Sequence, residues 1–312
     1  MKAAELLARC LENEGVRYVF GVPGEEVLDV LDALHVSSIT VIPTRHEQGA
    51  AFMADVYGRL CGRAGVCLST LGPGATNLMT GVADANMDHS PVVALTGQVG
   101  FSRLHKESHQ CLDLVALFRP ITKWSAQIKK AETIPETVRK AFTLAQTEKP
   151  GATHLDLPED ITKEEVAEEP LLEQAPPPPP IPLADQLERA AQIIAAAHNP
   201  LIVAGNGAVR AQASAALVRF AETLTIPVAT TFMAKGTIPF SHPLALGVVG
   251  SQPHDPVSRW LDLADVVIVV GYDLVEYAPT RSLVTSAPLY LRSLVRRQQG
   301  RMTALGRSEK PS

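Results

Sequence analysis

The chain has 312 residues, 46% hydrophobic and 20% charged, with a net charge of -5. This length accommodates two domains with separate cores, and the mild acidity offers no basic surface of the kind nucleic acid requires. No run of about 18 uninterrupted apolar residues is present, and the opening MKAAELLARCLENEG is charged throughout, so neither a membrane span nor a signal peptide is expected.

In chain order, Leu6, Leu7, Cys10 and Leu11 share one face of a helix predicted over 3–14, with Gly15 placed as its C-cap. Residues 17–20 read as a short strand that runs into the turn Gly21-Val22-Pro23-Gly24 and a helix over 25–34. Apolar runs at 39–42, 65–69 and 91–95 have the composition of strands buried on both faces, and helical stretches separate them. A helix over 134–147 and a strand over 152–157 complete a first domain, 1–165. Residues 166–183, acidic at first and then carrying Pro176–Pro180, read as a Pro-rich extended linker. The pattern restarts in a second α/β domain, 184–279, with helices to 197 and over 211–224 and strands at 200–204, 226–230 and 264–270. Residues 280–312 are rich in arginine, with no Asp and one Glu, and read as an atypical tail. A solvated tail, a basic arm for an anionic partner and sequence never selected in this frame all fit that composition. The predicted fold class is α/β: a parallel sheet flanked by helices, followed by a second, incomplete, Rossmann-like domain.

The four cysteines, Cys10, Cys61, Cys67 and Cys111, form no C-x-x-C pair and have no histidine at zinc spacing. They are expected to be buried, inert thiols in a reducing cytoplasm, with no metal site.

Ligands of parallel α/β sheets bind beyond the carboxyl ends of the strands. Three loops at such ends are unusual: Gly21–Gly24, the stretch 43–51 with Arg45, His46 and Glu47, and 70–77 with Gly72-Pro73-Gly74. Each has a plain structural account. Glu47 suits a helix N-terminus, Pro73 suits a first helical position, and His46 reads as a structural histidine. Their shared sheet edge is what points to a site.

The segment RHEQGAAFMADVYGR (45–59) resembles the cofactor-activating segment of acetolactate synthases and related thiamine diphosphate enzymes. TLGPGATNLMTGVADAN (70–86), SPVVALTG (90–97) and PITKW (120–124) are similar to further segments of that family, and the likeness runs from the N-terminus to about Tyr277. It implies that Glu47 hydrogen-bonds a ring nitrogen of the cofactor's aminopyrimidine, favours its imino tautomer and so relays acid–base catalysis through the cofactor. Such a carboxyl needs apolar, water-poor surroundings, which Ala50, Ala51, Phe52 and Met53 are expected to supply in part. By the same resemblance Pro73 and Asn77 line the pyrimidine side, with Thr70 and Pro23 nearby. Gln110, within Ser108-His109-Gln110, is a second catalytic candidate. His109 leans towards the catabolic, flavin-free members, as does Gly271–Tyr277, so FAD is expected to be absent. Lys123, within PITKW, reads either as a residue near the substrate or as a surface lysine.

The family's diphosphate- and Mg²⁺-binding Gly-Asp-Gly does not occur in the chain. The resemblance therefore implies a pyrimidine-side half of the thiamine diphosphate site, with Mg²⁺ coming from a domain that is missing. The chain reads as a truncated or frameshifted product, or as part of a split enzyme, working on pyruvate or another 2-keto acid. A homo-oligomer or a partner chain with the diphosphate-binding domain is expected. The alternatives are a non-catalytic remnant that associates with full-length relatives, and a nucleotide-binding oxidoreductase using the turn Gly205-Asn206-Gly207.

Overall fold

The computed structural model describes residues 1–104, 106–168, 170–172, 181–250, 256–276 and 289–290. The proline run 176–180, Tyr277 and all of the predicted tail except Leu289–Tyr290 lie outside them. The chain divides into two units, Met1–Pro178 and Pro179–Ser312.

In the first unit, α1 (Ala3–Asn13) buries Leu6, Leu7, Cys10 and Leu11. It closes as a Schellman turn: Gly15, at φ +79°, donates to the Glu12 carbonyl at 2.9 Å, and Val16 donates to that of Leu11 at 3.1 Å. Strand β1 (Tyr18–Gly21) follows, then a 3-10 turn (Glu25–Val27) and α2 (Leu28–His35). The single helix expected over 25–34 is thus divided, because Val27 packs against Gly97 and takes φ -116°, outside helical geometry. Then come β2 (Thr40–Pro43), α3 (Glu47–Cys61), β3 (Gly65–Ser69), α4 (Pro73–Met87) and β4 (Val92–Gln98). The unit continues with α5 (Leu114–Phe118), β5 (Trp124–Gln127), α6 (Ile134–Gln146), β6 (Ala152–Pro158) and α7 (Glu159–Lys163).

The six strands pair in the order β2-β1-β3-β4-β6-β5, all parallel. Neighbouring residues on the central strands point to opposite faces. Val66, Leu68, Val93, Leu95 and Leu155 join Leu7, Leu11, Leu34 and Phe142 in one core. Cys67, Val92 and Ala94 join Leu71, Leu78 and Phe118 in the other. Two buried faces explain why these strands read as continuous apolar runs. The opening of the predicted linker is not extended into solvent: Met1 and Val166 exchange backbone hydrogen bonds, and the Leu172 carbonyl accepts from Asn13 and Arg139.

The second unit contains α8 (Ala184–Ala195), β7 (Pro200–Ala204), α9 (Asn206–Arg210), α10 (Ser214–Leu224), β8 (Val228–Thr230), β9 (Ala245–Val248), α11 (Pro256–Leu263), β10 (Val266–Val270) and β11 (Leu289–Tyr290). Its sheet is also parallel, in the order β11-β10-β7-β8-β9. The helix expected from 211 starts at Ser214, since Gln212 takes φ +51° and interrupts it. The strand expected from 226 starts at Val228, after Pro227, which has no N–H to donate. β11 lies within the segment read as an atypical tail and continues the sheet beyond β10, correcting that reading for Leu289–Tyr290.

A reversal of strand order in a parallel sheet opens a crevice at the carboxyl ends. In the first unit one reversal falls between β1 and β3, with a second where β6 precedes β5; in the second unit the reversal falls between β7 and β10.

Candidate functional site

Helix α3 sets the position of Glu47. His46 is its N-cap, with Nδ1 accepting from the Gln48 N–H at 3.1 Å, which leaves Glu47 as the first helical residue. Ala50, Ala51 and Ala54 bury this helix against Ala75, Leu78 and Val82 of α4. The approach is so close that a Cβ on Gly81 would lie 2.7 Å from the Ala51 Cβ. At the far end Arg59 ties the two helices, with Nε and one terminal nitrogen on Asp55 (2.8 and 2.9 Å) and the other terminal nitrogen on Asp88 (3.0 Å).

That packing brings α4 within reach of Glu47. Asn77 Nδ2 donates to Glu47 Oε2 at 2.9 Å. Glu47 Oε1 lies 3.4 Å from where a Gly74 Cβ would stand, and the same point is 2.9 Å from Thr70 Cγ2. Thr70 Oγ1 donates to Glu26 Oε2 at 2.6 Å and so joins the loop after β3 to the turn after β1. Gly72 takes φ +54°, and a Cβ there would stand 2.7 Å from both the Cβ and the carbonyl oxygen of Gln110. Only glycine fits that position without strain. The crevice therefore gathers Glu47, Asn77, Thr70 and, through Gly72, Gln110. Pro23 and Pro73 are exposed, one in the loop after β1 and the other at the head of α4.

Three expectations are corrected. Phe52 and Met53 are 36% and 41% exposed, on the outer side of α3, so within this chain only Ala50 and Ala51 are buried beside the Glu47 turn. Lys123 precedes β5 and sits at the amino end of the sheet, away from the crevice; its Nζ donates to the carbonyls of Thr147 (2.8 Å) and Lys149 (2.7 Å), and burial lowers it to about 8. Of the thiols, Cys10 and Cys67 are buried and pushed up to about 11 and about 12, whereas Cys61 is exposed and Cys111 half-buried. Glu26 was not singled out from the sequence, although it follows the Pro23-Gly24 turn directly.

The second crevice is closed by the chain itself. Glu276 accepts from the Asn206 N–H at 3.0 and 3.1 Å and from the Thr231 hydroxyl. A Cβ on Gly205 would stand 2.5 Å from the Tyr272 Cα and 2.9 Å from Glu276 Oε1. A dinucleotide diphosphate would need this N–H, and a carboxylate already holds it. In this structure the donor that the dinucleotide reading of Gly205-Asn206-Gly207 requires is thus taken by Glu276.

Among the described residues no group of three His, Cys, Asp or Glu is arranged to hold a metal ion, and no helix is long and apolar enough to cross a membrane.

Residues 1–117 match the family described as thiamine pyrophosphate enzyme, N-terminal TPP binding domain, and residues 187–290 match thiamine pyrophosphate enzyme, central domain. The second match reaches past Tyr277, where the likeness read from the sequence stopped, and takes in β11. The chain is 46% identical over 281 residues to the probable acetolactate synthase large subunit of Methanocaldococcus jannaschii, covering 87% of this chain and 47% of that protein. It is 37% identical over 298 residues to the acetolactate synthase isozyme 3 large subunit of Escherichia coli (91% and 52%) and 38% identical over 281 residues to the acetolactate synthase of Bacillus subtilis (89% and 49%). The chain thus spans about half the length of the curated relatives it matches.

Proposed function

Because the chain belongs to the thiamine pyrophosphate enzyme family, we propose that its first unit supplies the cofactor-activating half of an acetolactate synthase-like active site, with Glu47 as the working carboxylate. The observation that carries this is the Glu47–Asn77 pair at the switch-point crevice. Asn77 fixes one carboxylate oxygen, and the other faces the small Gly74 at the mouth.

The residues present fit the pyrimidine end of the cofactor. An aminopyrimidine is flat and edged with donors and acceptors. The crevice offers it a carboxyl oxygen, the narrow Gly72-Pro73-Gly74 turn and the Thr70 side chain. When bound, thiamine diphosphate supplies the electron sink for decarboxylating pyruvate and joining the resulting two-carbon unit to a second 2-keto acid. Glu47 would be the residue that holds a proton at the cofactor's ring nitrogen, in the role of a general acid–base. Asn77 keeps the other oxygen occupied, so that one orientation of the carboxyl prevails. Thr70 and Pro23 shape the approach from β1 and β3, Pro73 that from α4, and Gln110, packed beside Gly72, would orient the 2-keto acid.

We assign the diphosphate and Mg²⁺ to residues outside this sequence, since it contains no Gly-Asp-Gly. Phe52, Met53, Val56 and Leu60 form an exposed apolar stripe along α3, 36–82% accessible, next to the crevice. Apolar surface of this kind suits an interface, and we read it as the face covered by a second copy or by a chain that carries the diphosphate side. Glu276 in the second crevice favours a flavin-free enzyme, because its carboxylate opposes a diphosphate at the Gly205 turn. The four free thiols fit a cytoplasmic location.

The test is acetolactate formation from pyruvate with thiamine diphosphate and Mg²⁺, by the chain alone and with a co-expressed chain that carries the diphosphate-binding domain. Turnover that depends on this chain and is lost in Glu47→Gln is expected. Equal turnover by Glu47→Gln would sink the proposal, and stable association without any turnover would favour a non-catalytic partner of full-length relatives.

A further inference from the structure

Behind the crevice, strands β4, β5 and β6 bury a row of polar side chains where the sequence reads as apolar core. His154 is fully buried and stacked on Phe118, with ring centroids 4.0 Å apart. Its Nε2 lies 2.9 Å from Thr96 Oγ1 and its Nδ1 lies 2.8 Å from Ser125 Oγ. Thr96 Oγ1 is in turn 3.1 Å from Asp156 Oδ1, and Asp156 Oδ2 accepts from Gln127 at 2.8 Å. The row touches the Gln110 loop and α5 at two points. Gln98 Nε2, 3.5 Å from Asp156 Oδ2, donates to the Leu112 carbonyl at 3.0 Å, and Ser125 Oγ is 3.3 Å from the Val115 carbonyl.

These distances are satisfied by two opposite directions of donation, because a hydroxyl and a neutral imidazole each donate once and also accept. With Asp156 ionised, Ser125 donates to His154 Nδ1, His154 Nε2–H donates to Thr96, and Thr96 donates to Asp156. With Asp156 protonated, it donates to Thr96, Thr96 donates to Nε2, and Nδ1–H donates to Ser125. The Ser125 hydroxyl is then released to donate to Val115. One proton is bound at Asp156, and the imidazole stays neutral while its proton changes nitrogen.

We propose that Asp156 is a positioning residue for the loop that carries Gln110: the proton it holds sets the tautomer of His154 and, through Ser125, the grip of β5 on α5. This rests on the reading of the Glu47 crevice as an active site and adds a control on one of its walls. Burial pushes the Asp156 carboxyl up to about 7, against the hydrogen bonds from Gln127, Thr96 and Gln98, and Asp113 raises it further. Burial also holds His154 down to about 3, so the ring remains neutral throughout. Around Asp156, β4 and β5 present the neutral Thr96, Gln98 and Gln127, β6 presents His154, and the head of α5 presents Asp113.

The test uses the ¹⁵N-labelled full chain without cofactor, with the His154 ring signals identified by their loss in His154→Gln. Below about pH 7 the proton is expected at Nδ1, and above it at Nε2, with no imidazolium. Asp156→Asn should fix the Nδ1–H form at every pH, because its amide donates to Thr96 while its oxygen takes the Gln127 bond. Exchange of the 111–117 amides, corrected for intrinsic rate, should be about fivefold slower at low pH, the worth of one ordinary hydrogen bond, and independent of pH in Asp156→Asn. A His154 tautomer that does not change with pH in the wild-type chain, or a ring that becomes charged, overturns the proposal. The wild-type titration needs no variant to fold. None of these readouts involves thiamine diphosphate or turnover, so their failure leaves the Glu47 reading standing, and failure of that reading leaves them measurable.

Discussion

The two units bring a carboxylate to a carboxyl-end crevice from different loops, after β2 in the first and after β10 in the second, and use it in opposite ways. Both sheets are parallel, with a reversal of strand order beside β1 and beside β7, and both put glycine turns at the crevice this opens. In the first unit Glu47 stands at the head of α3 with one oxygen on Asn77 and the other at the mouth. In the second, Glu276 folds back onto the Asn206 N–H and the Thr231 hydroxyl and fills the turn. An α/β sheet supplies the crevice; whether it becomes a site depends on how far its polar groups satisfy one another internally.

The contrast can be broken most directly at Glu47. In an assembly that turns over, Glu47→Gln is expected to cost ~10²–10⁴-fold in rate, the usual weight of a general acid–base, with the melting temperature unchanged. A stability loss in step with the rate would make Glu47 structural, like Glu276.

Next in size is the pH response of the polar row behind the first crevice. The folded-state value of Asp156 is raised to about 7, so its stability contribution is full below about 4 and is lost as pH rises to 7. That of His154 is lowered to about 3, so its contribution is present above about 6.5 and is lost as pH falls. The two oppose each other between pH 4 and 6.5. His154→Gln should expose the Asp156 part, with stability rising on acidification by at most ~3 kcal/mol over that window. Urea titrations at pH 4.5 and 6.5 measure it, and a variant that loses stability on acidification contradicts the assignment.

A smaller effect is expected at Glu276. Glu276→Ala should lower the stability of the second unit by ~1–3 kcal/mol, because the Asn206 N–H and the Thr231 hydroxyl lose their acceptor. Turnover of a complemented assembly should remain. If this variant acquires NAD or flavin binding, followed by fluorescence, Glu276 is the group that keeps the second crevice closed. Smallest is Asp113→Ala, which removes the side chain that accepts from the Ala116 N–H at 2.9 Å and caps α5. A loss of ~1 kcal/mol is expected by thermal unfolding, together with faster amide exchange across 111–117.

Strands buried on both faces were legible from sequence because their apolar runs are continuous; β3, β4 and β6 are of this kind. β5 and β9 were not, since strands half-buried at a sheet edge carry mixed residues such as Trp124-Ser125-Ala126-Gln127. The loops of the candidate site were legible because glycine and proline punctuate them and because Arg45–Arg59 resembles a known segment. His154 and Asp156 passed unnoticed inside an apparent core strand, although a His and an Asp two residues apart on a strand share one face and were a signal that could have been used.

By itself the sequence determined the α/β class, the family likeness and the identity of the loops that meet at the first crevice, because periodicity and turn chemistry are local properties. Only the tertiary structure decided the strand orders that put β1 beside β3 and β7 beside β10, the pairing of Glu47 with Asn77, the displacement of Lys123 to the opposite sheet edge and the closure of the second crevice by Glu276. Each of these joins residues tens of positions apart, through packing and hydrogen bonds that no local pattern encodes.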